Sequence, residues 1–262
     1  MNNSCLFGED EKPLDNILTN GGLTCIFRKI CVIGDSLSSG EFELIGDDGN
    51  HTYHDMYEYS WGQYIARMCG CEVSNFSRGG MSAKWYIDSF ADEWGLWDVR
   101  KAAQAYIIAL GANDVNDDNF KAYGSIGTAD DIDFEDYTKN KRTFAGYYGE
   151  IIQRYKKIQP NAKFFLVTMP QNTNDSDETK ARKDEHRKLL LSLAEVFSNA
   201  YVIDLRKYDC VHDKEYRKSY YLNGHLTPAG YYMSARVISS YIDYIIRHDM
   251  DEFKHIGFMP HN

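Results

Sequence analysis

Length, composition and charge set the first limits on what this protein can be. The chain has 262 residues, of which 43% are hydrophobic and 26% charged, and this composition suits a globular domain with a sizeable core. Its formal net charge is −10 at pH 7. That charge argues against nucleic acid and anionic membranes as partners, because both attract cationic surfaces. No apolar run reaches the length of a membrane-spanning helix.

The cysteines and the first residues bear on the cellular compartment. The six cysteines are scattered and show no zinc-site spacing. Residues 1–16 are acidic and lack the basic and apolar regions of a signal peptide. We therefore predict a cytoplasmic protein with reduced thiols, and we expect neither a metal nor another cofactor.

Apolar runs and helical periodicity predict an alternation of strands and helices. The strands are expected at residues 30–33, 72–75, 105–110, 164–169 and 201–205, and the helices at 61–68, 82–90, 134–158, 179–197 and 228–248. The last helix has the clearest start, since Thr227 offers a capping hydroxyl and Pro228 suits the first helical position. Such alternation predicts a single α/β domain over residues 1–262, with helices on both faces of a parallel sheet.

The first strand runs into a tripeptide that can carry chemistry. Residues 30–33 are apolar and largely β-branched, and Gly34, Asp35 and Ser36 follow them. Because open α/β sheets bind ligands beyond the carboxyl ends of their strands, Ser36 is a candidate nucleophile. Taken alone, the same tripeptide is more often a simple turn with a capping serine.

Three polar stretches interrupt the alternation and are predicted to be irregular. Residues 1–26 form a lead-in, and residues 40–60 and 115–133 are expected loop insertions. A loop of such length inside a compact domain is commonly either functional or disordered. Because residues 40–60 follow Ser36 directly, we predict that they form a flap over the substrate. The candidate substrate-binding residues there are Tyr57, Tyr59 and Trp61.

Three further segments strengthen the functional interpretation of Ser36. Residues 75–80 (NFSRGG) follow the second strand, residues 111–114 (GAND) follow the third, and His225 lies in LNGHLTPAGY before the last helix. In this order the segments resemble the sequence blocks of the SGNH (GDSL) hydrolases, over about residues 29–248. The resemblance implies a flavodoxin-like three-layer α/β/α fold with strand order 2-1-3-4-5. It also implies a serine hydrolase that cleaves carboxylic esters.

The resemblance assigns a role to each block. Ser36 would be the nucleophile and His225 its general base. The backbone N–H groups of Ser36 and Gly80 and the side-chain amide of Asn113 would form the oxyanion hole. Gly79 is the alternative to Gly80, because the glycine block can be aligned either way.

The aspartates of the first and third blocks are expected to be structural. Asp35 and Asp114 would hold their loops by accepting hydrogen bonds from backbone N–H groups. In an alternative reading, Asp35 is a phosphoryl-accepting nucleophile. That chemistry normally requires acidic metal ligands at strand ends, which Asp114, Asp117 and Asp118 match poorly.

The sequence departs from the family at one important position. The family usually has an aspartate three residues before its histidine, and here that position is Leu222. Nothing in the sequence brings Asp204, Asp209 or Asp213 to His225. We therefore expect a Ser36–His225 dyad, with Nδ1 of the histidine bonded to a main-chain carbonyl of residues 222–224 or to a water.

The expected partner is a small-molecule ester such as an acetylated sugar, rather than nucleic acid or a membrane. We favour a short-chain (acetyl) ester of a carbohydrate, because the stretch 40–60 is aromatic and acidic. The alternative is a catalytically weak protein of the same fold that binds a glycan or a protein partner, supported by the missing aspartate. A nucleotide-binding domain is disfavoured, because no glycine-rich phosphate loop follows the first strand.

Overall fold

A five-stranded parallel sheet lies at the centre of the protein. The structure, a computed structural model, describes residues 7–116, 120–121 and 125–259. Its strands are, in chain order, β1 (Lys29–Gly34), β2 (Glu41–Ile45), β3 (His51–Asp55), β4 (Glu72–Ser77), β5 (Ala105–Ala109), β6 (Lys163–Val167), β7 (Ala200–Ile203), β8 (Tyr221–Leu222) and β9 (His225–Leu226).

The helices lie between these strands. The α-helices are α1 (Ser36–Ser39), α2 (Trp61–Cys69), α3 (Ala83–Trp85), α4 (Ala91–Glu93), α5 (Phe144–Ile158), α6 (Asp177–Val196), α7 (Leu205–Tyr208), α8 (Lys214–Tyr220) and α9 (Pro228–His248). A π-helical turn, Tyr86–Phe90, joins α3 to α4. Short 3₁₀ segments occupy Gly22–Ile26, Tyr57–Tyr59, Val99–Lys101, Ala129–Asp131, Tyr137–Lys139, Met250–Phe253 and Ile256–Phe258.

The order of the central sheet is β4-β1-β5-β6-β7, which is 2-1-3-4-5 when only its own strands are counted. The register pairs Gly34, at the end of β1, with Ser77 on one side and Ala109 on the other. The segments that follow β1, β4 and β5 therefore emerge side by side at one edge of the sheet. The predicted fold class is confirmed.

Both faces of the sheet are buried. Cys31 and Ile33 of β1 belong to a core that includes residues of α5, whereas Ile30 and Val32 belong to a second core that includes residues of α9. A strand buried on both faces appears in the sequence as a continuous apolar run. For this reason every predicted strand lies within two residues of its observed bounds.

The prediction that residues 40–60 form an irregular loop is wrong, because they contain a β-hairpin. β2 and β3 form an antiparallel hairpin, paired from Glu41 with Asp55 to Ile45 with His51, and two of its own backbone hydrogen bonds close the turn between them. Gly49 in this turn has a φ of 77°, a conformation that glycine adopts without strain. The hairpin was missed because the alternation of its first strand (EFELI) has no apolar counterpart in its second strand (HTYHD), which carries polar residues on both faces.

The predicted helix over 134–158 is also too long, since α5 begins at Phe144. The Thr143 side chain caps α5 by accepting from the N–H of Gly146. Upstream, the side chains of Asp133 and Asp136 accept backbone N–H bonds within their own turns. Such local bonds compete with helix formation.

The other two expected insertions are only partly described. Residues 117–119 and 122–124 lie outside the described residues, and the rest of 115–133 contains one 3₁₀ segment. Residues 1–6 of the lead-in also lie outside them. Residues 7–26 run along α9, where the N–H of Leu18 donates to Ser240 Oγ at 2.8 Å and Arg236 Nε donates to the Leu18 carbonyl at 3.0 Å.

Two findings bear on the predicted compartment. Within the described ranges, no helix combines the length and the apolar character that crossing a membrane requires. The cysteines of the same ranges, Cys25, Cys31, Cys69, Cys71 and Cys210, are free thiols.

Candidate active site

A cleft of about 530 Å³ opens at the carboxyl edge of the sheet. It is lined by Ser36, Glu41, Tyr53, Asp55, Arg78, Gly79, Gly80, Asn113 and His225. All four residues predicted to act in catalysis or in the oxyanion hole are therefore in one place, although the chain separates them widely. The volume falls in the range of small-molecule sites.

The turn that carries Ser36 is held by close packing. Asp35 is the N-cap of α1, and its side chain accepts a hydrogen bond from the N–H of Leu37 at 3.0 Å. A Cβ at Gly34 would lie 2.2 Å from Ser38 Oγ, and one at Gly40 (φ 83°) would lie 2.8 Å from the Met56 carbonyl oxygen. Both glycines are therefore needed where they stand, and Ser36 is fixed at the mouth of the cleft.

Asp35 lies beneath the nucleophile and is almost fully buried. Burial raises the pKa of Asp35 to about 7, and the nearby carboxylate of Asp114 adds to that rise. The structural role predicted for both aspartates agrees with their bonds, since Asp114 accepts from the N–H of Ala83 at 2.9 Å. That bond ties the loop after β5 to the start of α3.

The oxyanion candidates come from the segments after β4 and β5. Gly80 has a φ of 72° in the turn that the Met81 N–H closes onto the Arg78 carbonyl. The side-chain amide of Asn113 donates to the Met81 carbonyl at 3.1 Å. This bond couples the two segments and orients the amide, which carries two N–H donors.

His186, which was not identified from the sequence, contacts the segment that follows β5. It is fully buried on α6, and its Nε2 lies 3.0 Å from the Leu110 carbonyl oxygen. Burial lowers the pKa of His186 to about 4, so the ring is neutral at pH 7. Gly111 (φ 141°) leaves room for this ring, since a Cβ there would lie 2.6 Å from Nε2.

His225 is oriented by a carboxylate from the hairpin. Its Nδ1 lies 3.3 Å from Glu43 Oε2. The same oxygen accepts the N–H of Gly224 at 2.6 Å, and Nδ2 of Asn223 donates to the Glu43 carbonyl at 2.9 Å. The other carboxylate oxygen of Glu43 lies 2.6 Å from Nδ1 of His51, a diagonal neighbour in the hairpin.

Glu43 is suited to remain ionised in this position. Its side chain is only 8% exposed. The hydrogen bond from His51 nevertheless holds the pKa of Glu43 below the usual range, and the bonds from Gly224 and His225 lower it further. An ionised carboxylate at Nδ1 fixes the imidazole tautomer and stabilises the imidazolium form.

The expectation of a main-chain acceptor for His225 is therefore wrong. The side-chain amide of Asn223 and the backbone N–H of Gly224 donate to Glu43, and Nδ1 of His225 contacts the Glu43 carboxylate rather than a main-chain carbonyl of this segment. Leu222 pairs directly with His225 across β8 and β9 and is 37% exposed. The missing aspartate is thus replaced by a glutamate that lies 182 positions away in the chain.

A second hairpin carboxylate contacts the other ring nitrogen. Glu41 Oε1 lies 3.0 Å from His225 Nε2, the nitrogen that should face the nucleophile. Among the described residues, no hydrogen bond joins Ser36 Oγ to His225. In this state the imidazole is therefore held between two carboxylates.

The three predicted substrate-binding aromatic residues lie away from the cleft lining. The Tyr57 hydroxyl donates to the Val73 carbonyl at 2.7 Å, and Tyr59 packs against Phe42. Trp61 is 3% exposed and lines a separate, mainly apolar cavity of about 120 Å³. The aromatic residue that does line the cleft is Tyr53.

Tyr53 also touches the candidate base. Its ring contacts that of His225 edge-on, with ring centroids 5.8 Å apart. Two signals could have revealed the hairpin that carries it: the Asp48-Gly49 dipeptide between two strand-like segments, and the spacing of two between Glu41 and Glu43, which places them on one face.

The assembled groups are those that acyl transfer requires. The cleft contains a hydroxyl on a rigid turn, an imidazole with a carboxylate at Nδ1, and N–H donors from two neighbouring loops. Burial raises the pKa of Glu41, so this second carboxylate lies in a less favourable environment than Glu43.

Comparison with known proteins identifies the family. Residues 32–233 match the GDSL-like Lipase/Acylhydrolase family, which is well over half of the chain. No curated protein matches the chain.

Solved structures show the same fold at low identity. A family two carbohydrate esterase from Clostridium thermocellum, in complex with cellohexaose, has a TM-score of 0.56 at 15% identity, with 92% of this chain and 66% of that chain covered. A family two carbohydrate esterase with a carbohydrate-binding domain, from Corynascus thermopiles (Myceliophthora fergusii), has a TM-score of 0.55 at 19% identity, with 84% and 66% covered. A carbohydrate acetylesterase from Sinorhizobium meliloti has a TM-score of 0.51 at 15% identity, with 83% and 99% covered.

The chain thus spans just under two thirds of the length of the first two proteins, and at these identities the likeness shows the fold. The family match carries the conclusion about the chemistry. The chain belongs to the GDSL-like lipase/acylhydrolase family, and it is a carboxylic ester hydrolase.

Proposed function

We propose that the protein hydrolyses small esters through an acyl-Ser36 intermediate, and that its favoured substrate is a short-chain (acetyl) ester of a carbohydrate. The observation that carries the proposal is the convergence of Ser36, Asn113, Gly80 and the His225–Glu43 pair in one cleft. The polar side chains around it suit a substrate rich in hydroxyl groups.

In the first half-reaction, Ser36 Oγ attacks the ester carbonyl carbon and its proton passes to His225 Nε2. The N–H groups of Ser36 and Gly80 and the Asn113 amide stabilise the oxyanion. Glu43 accepts the Nδ1–H bond and stabilises the imidazolium. Collapse of the tetrahedral intermediate expels the alcohol, which takes the proton from Nε2.

In the second half-reaction, water attacks the acyl-serine carbonyl while His225 Nε2 accepts a proton from that water. Collapse of the second tetrahedral intermediate frees the carboxylic acid, and the proton returns to Ser36 Oγ. One water is consumed, and the free enzyme is regenerated. Before either half-reaction, Glu41 must leave Nε2.

The carbohydrate part of the proposal rests on the cleft and on its structural relatives. Glu41, Tyr53, Asp55 and Arg78 surround Ser36 with donors and acceptors for hydroxyl groups. Three proteins of the same fold are described as carbohydrate esterases. A long-chain lipase would need an apolar surface here, whereas the described residues that line this cleft are mostly polar side chains and glycines.

The test is a substrate series. p-Nitrophenyl esters of increasing acyl length measure the acyl preference, and acetylated mono- and oligosaccharides measure the alcohol preference by acetate release. We expect acetyl esters to be the best of the first series and acetylated sugars to exceed p-nitrophenyl acetate in kcat/KM. A preference for acyl chains of eight or more carbons would contradict the proposal.

The contact between Glu41 and Nε2 favours a second candidate, a weakly catalytic protein that binds a glycan. A fluorophosphonate probe separates the two functions, because it reacts only with an activated serine. Stoichiometric labelling that disappears in Ser36→Ala supports the esterase. Absence of labelling, together with measurable binding of an oligosaccharide, supports the binding protein.

A further inference from the structure

The Glu41 carboxylate occupies the space between the base and the oxyanion loop. Its Oε1 lies 3.0 Å from His225 Nε2, and both side chains are 13% exposed. Its Oε2 lies against Gly79, where a Cβ would come within 2.2 Å of it. A substrate carbonyl held by Gly80 and Asn113 and attacked by Ser36 would have to enter this space.

The contact also determines which atom carries the proton. When Glu41 is ionised it only accepts hydrogen bonds, so a favourable contact at 3.0 Å requires a proton on Nε2. Because Nδ1 also donates to Glu43, the ring in this state is an imidazolium. A nitrogen that already carries a proton cannot take one from Ser36 Oγ. The state with Glu41 on Nε2 is therefore unable to begin the reaction, and Nε2 must first release its proton to water when the carboxylate moves away.

The surroundings of Glu41 favour such a displacement. Burial is the main cause that raises its pKa, and the nearby carboxylates of Asp55 and Glu43 add to it, opposed by the attraction to His225. Arg78 lines the same cleft, and its guanidinium carbon lies 5.7 Å from the centroid of the Trp85 ring. A cation is thus present in the cleft that holds the Glu41 carboxylate.

We propose that Glu41 is a specificity-determining residue that holds His225 inactive until a substrate with a hydroxyl group beside its ester takes over the carboxylate. The substrate class is a partly acylated polyol or sugar, whose free hydroxyl donates to Glu41 as the ester carbonyl enters the oxyanion hole. This inference rests on the proposed acyl-serine chemistry and names the feature by which the site would select its substrate.

The test compares an ester with and without a neighbouring hydroxyl group. Glycerol monoacetate has the donor and ethyl acetate lacks it, and neither is a sugar. Glu41→Ala should raise kcat/KM for ethyl acetate about tenfold or more, since a hydrogen bond between charged groups no longer has to be broken. The same change should lower kcat/KM for glycerol monoacetate, because its hydroxyl loses the acceptor.

Two further variants control for charge and for folding. Asp47→Asn removes one negative charge from the exposed turn of the same hairpin and should leave both rates unchanged. Glu41→Gln keeps the shape of the side chain, and it replaces Glu41→Ala in the test if Glu41→Ala melts at a lower temperature than the wild type. Like Glu41→Ala, it should lower the ratio of the glycerol monoacetate rate to the ethyl acetate rate.

Nitrogen-15 NMR of the histidine ring gives a readout independent of turnover. At the same pH, Nε2 of His225 should be less protonated in Glu41→Ala than in the wild type, because the carboxylate that accepts its hydrogen bond is absent. Equal shifts in the two proteins would overturn the proposal.

The kinetic outcomes also separate this inference from the proposed function. An equal fall for both esters in Glu41→Ala, or no change for either, would overturn the role of Glu41. If the two rates change in opposite directions but no acetylated sugar is hydrolysed, the role of Glu41 stands and the carbohydrate preference is wrong. If Ser36→Ala retains activity, the acyl-serine chemistry fails whatever Glu41 does.

Discussion

The loops at the sheet edge and the β2–β3 hairpin contribute to one site by different physical means. The loops end strands that are buried on both faces, so packing of the core fixes Ser36 and Asn113. The hairpin is a separate two-stranded sheet with exposed apolar residues such as Leu44 and Tyr53. Nucleophile and oxyanion donors thus depend on the core, whereas the orientation and availability of the base depend on a peripheral element.

The largest effect is expected at the sheet edge. Ser36→Ala should lower kcat by about 10⁴–10⁶, because no other hydroxyl replaces the nucleophile. The measurement is acetate release from p-nitrophenyl acetate, with the melting temperature as a check that the fold is intact. If activity persists in Ser36→Ala but is lost in Ser38→Ala or Ser39→Ala, the nucleophile has been assigned wrongly.

Loss of one hairpin carboxylate, that of Glu43, should lower kcat nearly as much. Glu43→Gln should lower kcat by about 10²–10⁴, because an amide at Nδ1 favours the wrong tautomer and cannot stabilise imidazolium. His51→Gln, which removes only the bond to the far oxygen of Glu43, is the matched control and should cost much less. Equal losses in the two variants would mean that the hairpin acts through its fold rather than through Glu43.

A second substitution can test whether a carboxylate from another position rescues the activity lost in Glu43→Gln. Leu222 is directly opposite His225 in the β8–β9 pair, and opposed side chains lie on one face. Adding Leu222→Asp to Glu43→Gln should restore part of the activity by returning a carboxylate to the histidine. No recovery in a folded double variant would show that position 222 cannot reach Nδ1.

Replacing Asn113, the oxyanion donor at the sheet edge, should have an intermediate effect on kcat. Asn113→Ala should lower kcat by about 10²–10³ at nearly constant KM, since an oxyanion donor acts mainly in the transition state. The experiment is a full Michaelis–Menten analysis with p-nitrophenyl acetate. A change confined to KM would make Asn113 a residue that positions the substrate.

The smallest effect concerns stability rather than rate. The pKa of Asp35 is raised by burial to about 7 from 3.8, so its contribution to stability is present below about pH 4 and is lost as the pH rises through 7. Asp35→Asn keeps the acceptor for Leu37 without the charge. Relative to the wild type, it should gain roughly 2–4 kcal/mol in unfolding free energy between pH 4 and pH 8, measured by urea denaturation. An equal difference at both pH values would contradict the raised pKa.

From the sequence alone, the residues that line the cleft at the sheet edge could be found, but those of the hairpin could not. Ser36, Asn113 and His225 stand at strand ends or before a capped helix, where local signals are strong and the family order adds context. Glu43 is 182 positions from His225, and nothing local to either residue indicates their contact. The burial of Trp61 was missed for the same reason, because Trp61 packs in a core with residues distant in sequence.

The long separation between Glu43 and His225 has a consequence for the time at which the protein becomes reactive. Closing a loop costs chain entropy before the contact repays it, so pairing between distant segments is slow. The nucleophile turn can form from contacts among nearby residues, but its base is oriented only after segments near both ends of the chain have met. During synthesis, Ser36 emerges almost two hundred residues before His225 does, so the unfinished chain carries a hydroxyl that cannot yet attack an ester.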